Sequence, residues 1–143
     1  MQYKVSKPSK KLRGELKVAS SKSISNRLLI IRALSEKPFQ LINLSESEDT
    51  RVLQQALEGR QAVVDIGHAG TAMRFLTAYF ANCDRDVVLT GSERMKQRPI
   101  GNLVKALQEL GAEIKYLEKE GFPPLYIHGR RLEGGHVKID GSI

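Results

Sequence analysis

Two short stretches of this chain combine cations, hydroxyls and glycines where a helix could begin. Gly67-His68-Ala69-Gly70-Thr71-Ala72-Met73-Arg74 sets a glycine-containing turn directly before an apolar-periodic run. Glycine lets the backbone turn tightly and approach a ligand closely. A helix begun there aims its unpartnered N–H groups, and the positive end of its dipole, at whatever lies above the turn. Ser20-Ser21-Lys22-Ser23-Ile24-Ser25-Asn26-Arg27 repeats the arrangement with hydroxyls and two cations added. Two such starts suit a phosphorylated small molecule. A helix start contributes only about 0.3–1 kcal/mol to an exposed charge. Hydrogen bonds from Lys and Arg, roughly 1.5–3 kcal/mol each, must therefore carry most of the affinity.

Residue by residue, each candidate also has an ordinary structural reading. Lys22 is a cation at the positive end of a helix, an arrangement that the dipole disfavours unless an anion sits nearby. Four residues separate Ser23 from Arg27, so the two share a face; they could equally be a capping serine and a solvated arginine. Gly70 either lets a ligand approach or serves only the turn. Thr71 could cap the helix or donate to phosphate. Arg74, one turn in, could contact an anion or hold a structural ion pair.

The bulk numbers narrow the partners. With 143 residues the chain has the length of one ordinary domain, enough for a real core. A net charge of +7 favours anionic partners without naming them. Nucleic acid is the alternative: a basic module binding it, or an acidic protein. Against it, aromatic residues are only 6%, tryptophan is absent, and neither an RNA-recognition strand nor zinc-finger spacing occurs. The basic residues are scattered, with Lys7, Lys10, Lys11 and Arg13 the one clear cluster. No apolar run approaches the roughly 20 residues that cross a bilayer. Met1 to Lys7 has no apolar signal core. Cys83, alone, forms no internal disulfide and fits a reducing cytoplasm, as a small buried side chain. His128 and His136 form no metal-ligand spacing with it and read as surface residues.

Positioning falls to a unit written twice. Setting Arg27 over Arg74 brings Leu28 over Phe75, Leu29 over Leu76, Leu41 over Val88 and Ile42 over Leu89. A period of this size marks a repeated supersecondary unit. The first copy predicts a helix from Ser20 or Ser21 to about Ser35, with Ile24, Leu28, Ile31 and Leu34 as its apolar face. Pro38 punctuates it, and Phe39 to Leu44 reads as a strand. Asp49 or Thr50 caps a short helix that Gly59 ends. Ala62 to Ile66 is the next strand. The second copy predicts a helix from about Ala69 to Ala81 and a buried strand from Asp86 to Thr90. A further helix begins with Pro99 in its first turn and carries Ile100, Leu103, Val104, Leu107 and Leu110 on one face before Gly111. Glu113 to Leu117, Pro124 to His128 and His136 to Asp140 follow as strands. The fold class is α/β, with helices packed on sheet built from repeated βαβ-type units.

Ser21-Lys22-Ser23-Ile24-Ser25-Asn26-Arg27, Gly67 through Arg74, and Leu89-Thr90-Gly91-Ser92-Glu93-Arg94-Met95-Lys96-Gln97-Arg98-Pro99-Ile100 resemble three signatures of the 5-enolpyruvylshikimate-3-phosphate synthases, in the right order. Ser47-Glu48-Asp49-Thr50 matches a fourth, weaker element. The resemblance implies a two-lobed fold in which each lobe holds three βαβαββ units and substrates bind between the lobes. The chain then corresponds to about the first third of the family's length, a fragment holding an incomplete lobe. Residues 1–19 are the N-terminal segment, whose strand, roughly Lys10 to Val18, joins the opposite lobe. Residues 20–143 form the partial substrate-binding lobe, its first repeat about 20–66 and its second about 67–143.

The implied reaction belongs to the shikimate pathway, toward chorismate and the aromatic amino acids. It moves the enolpyruvyl group of phosphoenolpyruvate to the 5-hydroxyl of shikimate 3-phosphate and releases phosphate. It runs through a tetrahedral intermediate with no metal or organic cofactor, in a cytoplasmic and monomeric enzyme. By resemblance Lys22 touches both substrates and serves electrostatically and in proton transfer. Ser23 and Arg27 match positions that bind shikimate 3-phosphate. Gly70 matches the position nearest phosphoenolpyruvate, and Arg98 the arginine that clamps it with a planar fork. Thr71, His68 and Asp49 are further candidates; His68 is a departure, since many relatives have asparagine there, and Asp49 also suits a helix first turn. Arg94 and Lys96 read as solvated. The UDP-N-acetylglucosamine enolpyruvyl transferases are the rival family. Theirs is a lysine-asparagine pair and a loop cysteine, where this chain has Lys22-Ser23 and Glu93. The piece alone is expected to bind substrates weakly without turnover, and to self-associate through open strand edges.

Overall fold

The computed structural model describes residues 3–4, 13–15, 18–37 and 39–139. Its elements are α1 (Lys22–Leu34), α2 (Glu48–Glu58), β1 (Val63–Asp65), α3 (Gly70–Ala81), β2 (Asp86–Thr90), α4 (Glu93–Lys96), α5 (Gly101–Glu109), β3 (Glu113–Tyr116) and β4 (Leu125–His128). The strands form one sheet in the order β1-β2-β4-β3. β1 and β2 are parallel, with Val64 opposite Leu89, and α3 makes the crossover between them. β4 runs antiparallel to both β2 and β3. The stretch from β1 to β4 is thus one complete βαβαββ unit.

Alternation along the strands decides which face is covered. Val64, Val87, Leu89, Ile114, Leu125 and Ile127 are buried, while Val63, Asp65, Asp86, Glu113, Lys115 and His128 are exposed. Against the apolar face lies α3, which buries Ala72, Met73, Leu76, Thr77 and Phe80. α5 packs beside α3 and on β3, burying Val104, Ala106 and Leu107. Its end is set by Gly111 at φ +93, a conformation that L side chains rarely adopt. α1 and α2 pack on one another and on α3, forming a further layer.

Several expectations need correction. Phe39 to Leu44 is not a strand. Among the described residues no strand pairs with it, Ile42 is 81% exposed, and Asn43 at φ 57 interrupts any extended run. Residues 136–139 also lack strand structure, following the left-handed glycines Gly134 and Gly135; Asp140 lies outside the described residues. The expected apolar face of α1 points outward, with Ile24, Ile31 and Leu34 each more than half exposed. Ser25, Asn26 and Leu29 are buried instead. The reason is a polar dock: Ser25 Oγ accepts from the Ser45 amide at 2.9 Å, and Thr50 Oγ1 donates to Asn26 Oδ1 at 2.8 Å. α2 is capped by Ser47, whose Oγ accepts from the Thr50 amide, so Asp49 and Thr50 fall inside the first turn. Gly59 does end α2, but with φ −77 rather than a left-handed turn. Pro99 precedes the Ile100 cap of α5 instead of entering its first turn. The short helix α4 was not anticipated. Of the expected opening strand and basic cluster, residues 13–15 and 18 are described, without strand; the rest, like Pro38, lie outside the described residues.

Candidate functional site

The site forms where three chain segments meet at the starts of helices. Ser21 caps α1, its Oγ accepting from the Ile24 amide at 3.4 Å. Lys22 is therefore the first helical residue, and its Nζ donates to Asp49 Oδ2 at 3.0 Å from the first turn of α2. That pair explains how a lysine is tolerated at a helix N-terminus: Asp49 offsets the dipole and aims the ammonium. Half of the Lys22 side chain stays exposed, so the cation is held without being buried. One turn further, Arg27 Nη1 donates to the Ser23 carbonyl at 2.9 Å, and its guanidinium stacks 5.8 Å from the centre of the Phe75 ring.

The second segment follows β1. Gly67 turns at φ +53, its amide donating to Asp65 Oδ1 and its carbonyl accepting from the Ser92 amide at 3.0 Å. His68 Nδ1 lies 2.8 Å from Ser92 Oγ. Ala69 is the cap of α3 and has no side chain to satisfy it. The first turn of a helix leaves its N–H groups outside the ladder, here those of Gly70, Thr71 and Ala72. Thr71 is accordingly not the cap.

The third segment runs from α4 to α5. Its loop is tied down by the Arg98 amide, which donates to the Met95 carbonyl, and by Arg74 Nη2, which donates to the Pro99 carbonyl at 3.0 Å. Arg74 is thereby a strut of the loop that carries Arg98. The Arg98 guanidinium lies directly over Gly70, where an added Cβ would come within 2.5 Å of Nη1.

These segments enclose one open cavity of about 590 Å³. Lys22, Ser23, Arg27 and Asp49 line it from α1 and α2, and His68, Gly70, Thr71 and Arg98 from the other two segments. Every candidate named from sequence is thus brought to one place. Among the described lining residues Lys22, Arg27, Arg74 and Arg98 outnumber the one carboxylate, Asp49, a surplus of positive charge that attracts polyanions. Phe75, Met73 and Met95 also line the cavity and were missed. Phe75 stands four residues after Thr71, a spacing that could have revealed it. Arg94 is exposed, as expected. Lys96 is not simply solvated: Glu118 and Glu93 each approach its ammonium at 3.2 Å and hold it above the ordinary lysine range. Away from the cavity, Cys83 is only partly buried, and desolvation raises its thiol. His128 bonds Asp86 Oδ1 at 2.7 Å.

Comparison with known proteins follows the same lines. A family model described as EPSP synthase (3-phosphoshikimate 1-carboxyvinyltransferase) matches residues 6–60 and 52–143. The 3-phosphoshikimate 1-carboxyvinyltransferase of Bacteroides fragilis (strain YCH46) is 50% identical over 143 residues, covering 100% of this chain and 35% of that protein. The protein of the same name from Sulfurovum sp. (strain NBC37-1) is 44% identical, covering 96% of this chain and 38% of its own length. Among solved structures, an EPSP synthase from Acinetobacter baumannii superimposes with a TM-score of 0.78 at 25% identity, over 91% of this chain and 36% of that one. A second structure of an EPSP synthase from that organism gives 0.74 at 26% identity, over 85% and 33%. The chain spans little more than a third of the curated relatives it matches.

Proposed function

Since the chain belongs to the EPSP synthase family, we propose that it supplies the first part of an enzyme that joins phosphoenolpyruvate to shikimate 3-phosphate. In this reading residues 20–143 are the partial substrate-binding lobe, and residues 1–19 belong with the opposite lobe. The supporting observation is the meeting of Lys22, Arg98 and the start of α3 around one cationic cavity.

Each side chain then has a task. Ser23 and Arg27 hold shikimate 3-phosphate, Arg27 braced by the Ser23 carbonyl and the Phe75 ring. Arg98 grips phosphoenolpyruvate bidentately over Gly70, with the Gly70 and Thr71 amides adding donors. Lys22 stands between the two substrates. It stabilises charge that develops as the 5-hydroxyl oxygen adds to the enolpyruvyl carbon and phosphate subsequently leaves, and it serves in proton transfer. Asp49 keeps the ammonium oriented. Holding two polyanions side by side is itself a large part of such catalysis.

The chain alone is expected to bind both substrates weakly and turn over neither, because one lobe leaves the cavity open. Among the described residues no helix is long and apolar enough to cross a membrane. A cytoplasmic location is proposed with the pathway. The deciding experiment is a coupled phosphate-release assay on the chain alone and mixed with the remainder of a homologous synthase. Release only in the mixture supports the reading, no release in the mixture overturns it, and appreciable turnover by the chain alone overturns the expectation that the piece is inactive by itself. Amide shifts confined to the cavity on adding shikimate 3-phosphate, with none on adding an oligonucleotide, separate it from a nucleic-acid module.

A further inference from the structure

We infer that Ser92 is a positioning residue: it fixes the tautomer of His68, so that the imidazole offers the cavity an Nε2–H donor. This deepens the site reading above and rests on it only for the identity of the anion. The argument starts from the hydrogens on Ser92. Its Oγ caps α4, accepting from the Met95 amide at 3.3 Å. Cap duty uses a lone pair and leaves the hydroxyl hydrogen free. His68 Nδ1 lies 2.8 Å from the same oxygen. If the hydroxyl donates to Nδ1, Ser92 Oγ both accepts and donates, and the neutral ring carries its proton on Nε2.

In the opposite arrangement Nδ1–H would donate to Oγ, whose second lone pair can accept it, and the hydroxyl hydrogen would turn to solvent. Among the described residues the hydroxyl hydrogen would have no protein acceptor left. We take the first arrangement, in which the hydroxyl both accepts and donates within the protein. Both partners are anchored: the Ser92 amide is held by the Gly67 carbonyl, and the Ala69 amide after His68 donates to the Ile66 carbonyl. His68 lines the same cavity as Arg98 and Gly70. The one ring nitrogen left for a ligand is Nε2. As an N–H it can donate to a phosphoryl or carboxylate oxygen without the ring becoming charged.

The test reads the ring directly. Long-range ¹H–¹⁵N spectra of the full chain should show neutral His68 protonated on Nε2. Ser92→Asp keeps an acceptor for the α4 cap but cannot donate, so the proton should move to Nδ1, whereas Ser92→Thr should leave the spectrum as it is. A wild-type ring protonated on Nδ1, or a Ser92→Asp ring unchanged from wild type, overturns the inference. Titration with phosphoenolpyruvate should shift Nε2, and His68→Phe should weaken binding by roughly tenfold or more. Shifts at Arg98 with His68 Nε2 silent overturn its role as a ligand. Silence at Lys22 and Arg98 as well would count against the site reading, while the Ser92→Asp spectrum still decides the tautomer.

Discussion

Gly70 and Gly91 differ in what a single methyl group would meet, and the contrast separates binding from stability. At Gly70 the methyl would strike Arg98 Nη1, the free end of a flexible side chain. Gly70→Ala should thus leave stability within about 1 kcal/mol of wild type, since alanine suits a helix and the guanidinium can swing aside. Swinging aside is what the ligand site cannot tolerate. On the proposed assignment, phosphoenolpyruvate affinity should fall by roughly tenfold or more with the loss of a charge-assisted bond, while the thermal midpoint barely moves. At Gly91 the methyl would meet the Gly67 carbonyl at 2.8 Å and Met95 Cγ at 2.9 Å, backbone and packed core. Gly91→Ala should cost about 1–3 kcal/mol, read as a shifted urea midpoint. At this scale the lining of the candidate cavity was largely legible, because Lys22, Arg27, Gly70 and Arg98 stand in recognisable strings of residues. Phe75 was missed because an aromatic within a helical run reads as core, although its spacing from Thr71 puts it on the same face. The Ser92–His68 contact was invisible, since it joins residues 24 positions apart.

Helices and strands followed the sequence where burial is one-sided and failed where a neighbour decides. β2 was readable as a buried apolar strand, and α3 from its glycine-led start and the repeat. α1 was not, since Ser25 and Asn26 bury polar side chains against Ser45 and Thr50 and turn the aliphatic face outward. The same dock makes Ser47 matter: its Oγ accepts from the Thr50 amide and lies 2.9 Å from Thr50 Oγ1. Ser47→Ala should therefore destabilise by about 1 kcal/mol, measurable as a lower urea midpoint with an unchanged slope. A second prediction concerns the sheet's open face. The Asp86 carboxyl is held below the usual carboxylate range first by the Tyr126 hydroxyl, at 2.8 Å, and then by His128. Its folded pKa is depressed, so its contribution to stability is present above the unfolded value of about 3.9 and lost as pH falls through the folded one. The gap in urea midpoint between wild type and Asp86→Asn should accordingly narrow below about pH 4. A gap that persists there would refute this reading of Asp86.

At the scale of the whole molecule, the unmet surface among the described residues is helical more than strand-like. Ile24, Ile31 and Leu34 are 61%, 53% and 57% exposed along α1. Beside them an apolar groove of about 450 Å³ opens between α1, α3 and α5, lined by Ile30, Phe75, Ala78 and Leu103. The strand edges are short by comparison, since β1 has 3 residues and β3 has 4. The sequence places self-association at the open strand edges and apolar surface of an incomplete sheet; the exposed residues of α1 move the expectation to the helices. A net charge of +7 repels two copies, whereas apolar contact attracts them. Added salt screens the repulsion and leaves the apolar term in place. Sedimentation of the chain should therefore show association that rises with concentration and strengthens with salt, the opposite of salt-sensitive nucleic-acid binding. Ile31→Lys should abolish it, and Val63→Lys, on the outer face of the edge strand, should not. Association that Ile31→Lys leaves intact and Val63→Lys removes would return the contact to the sheet.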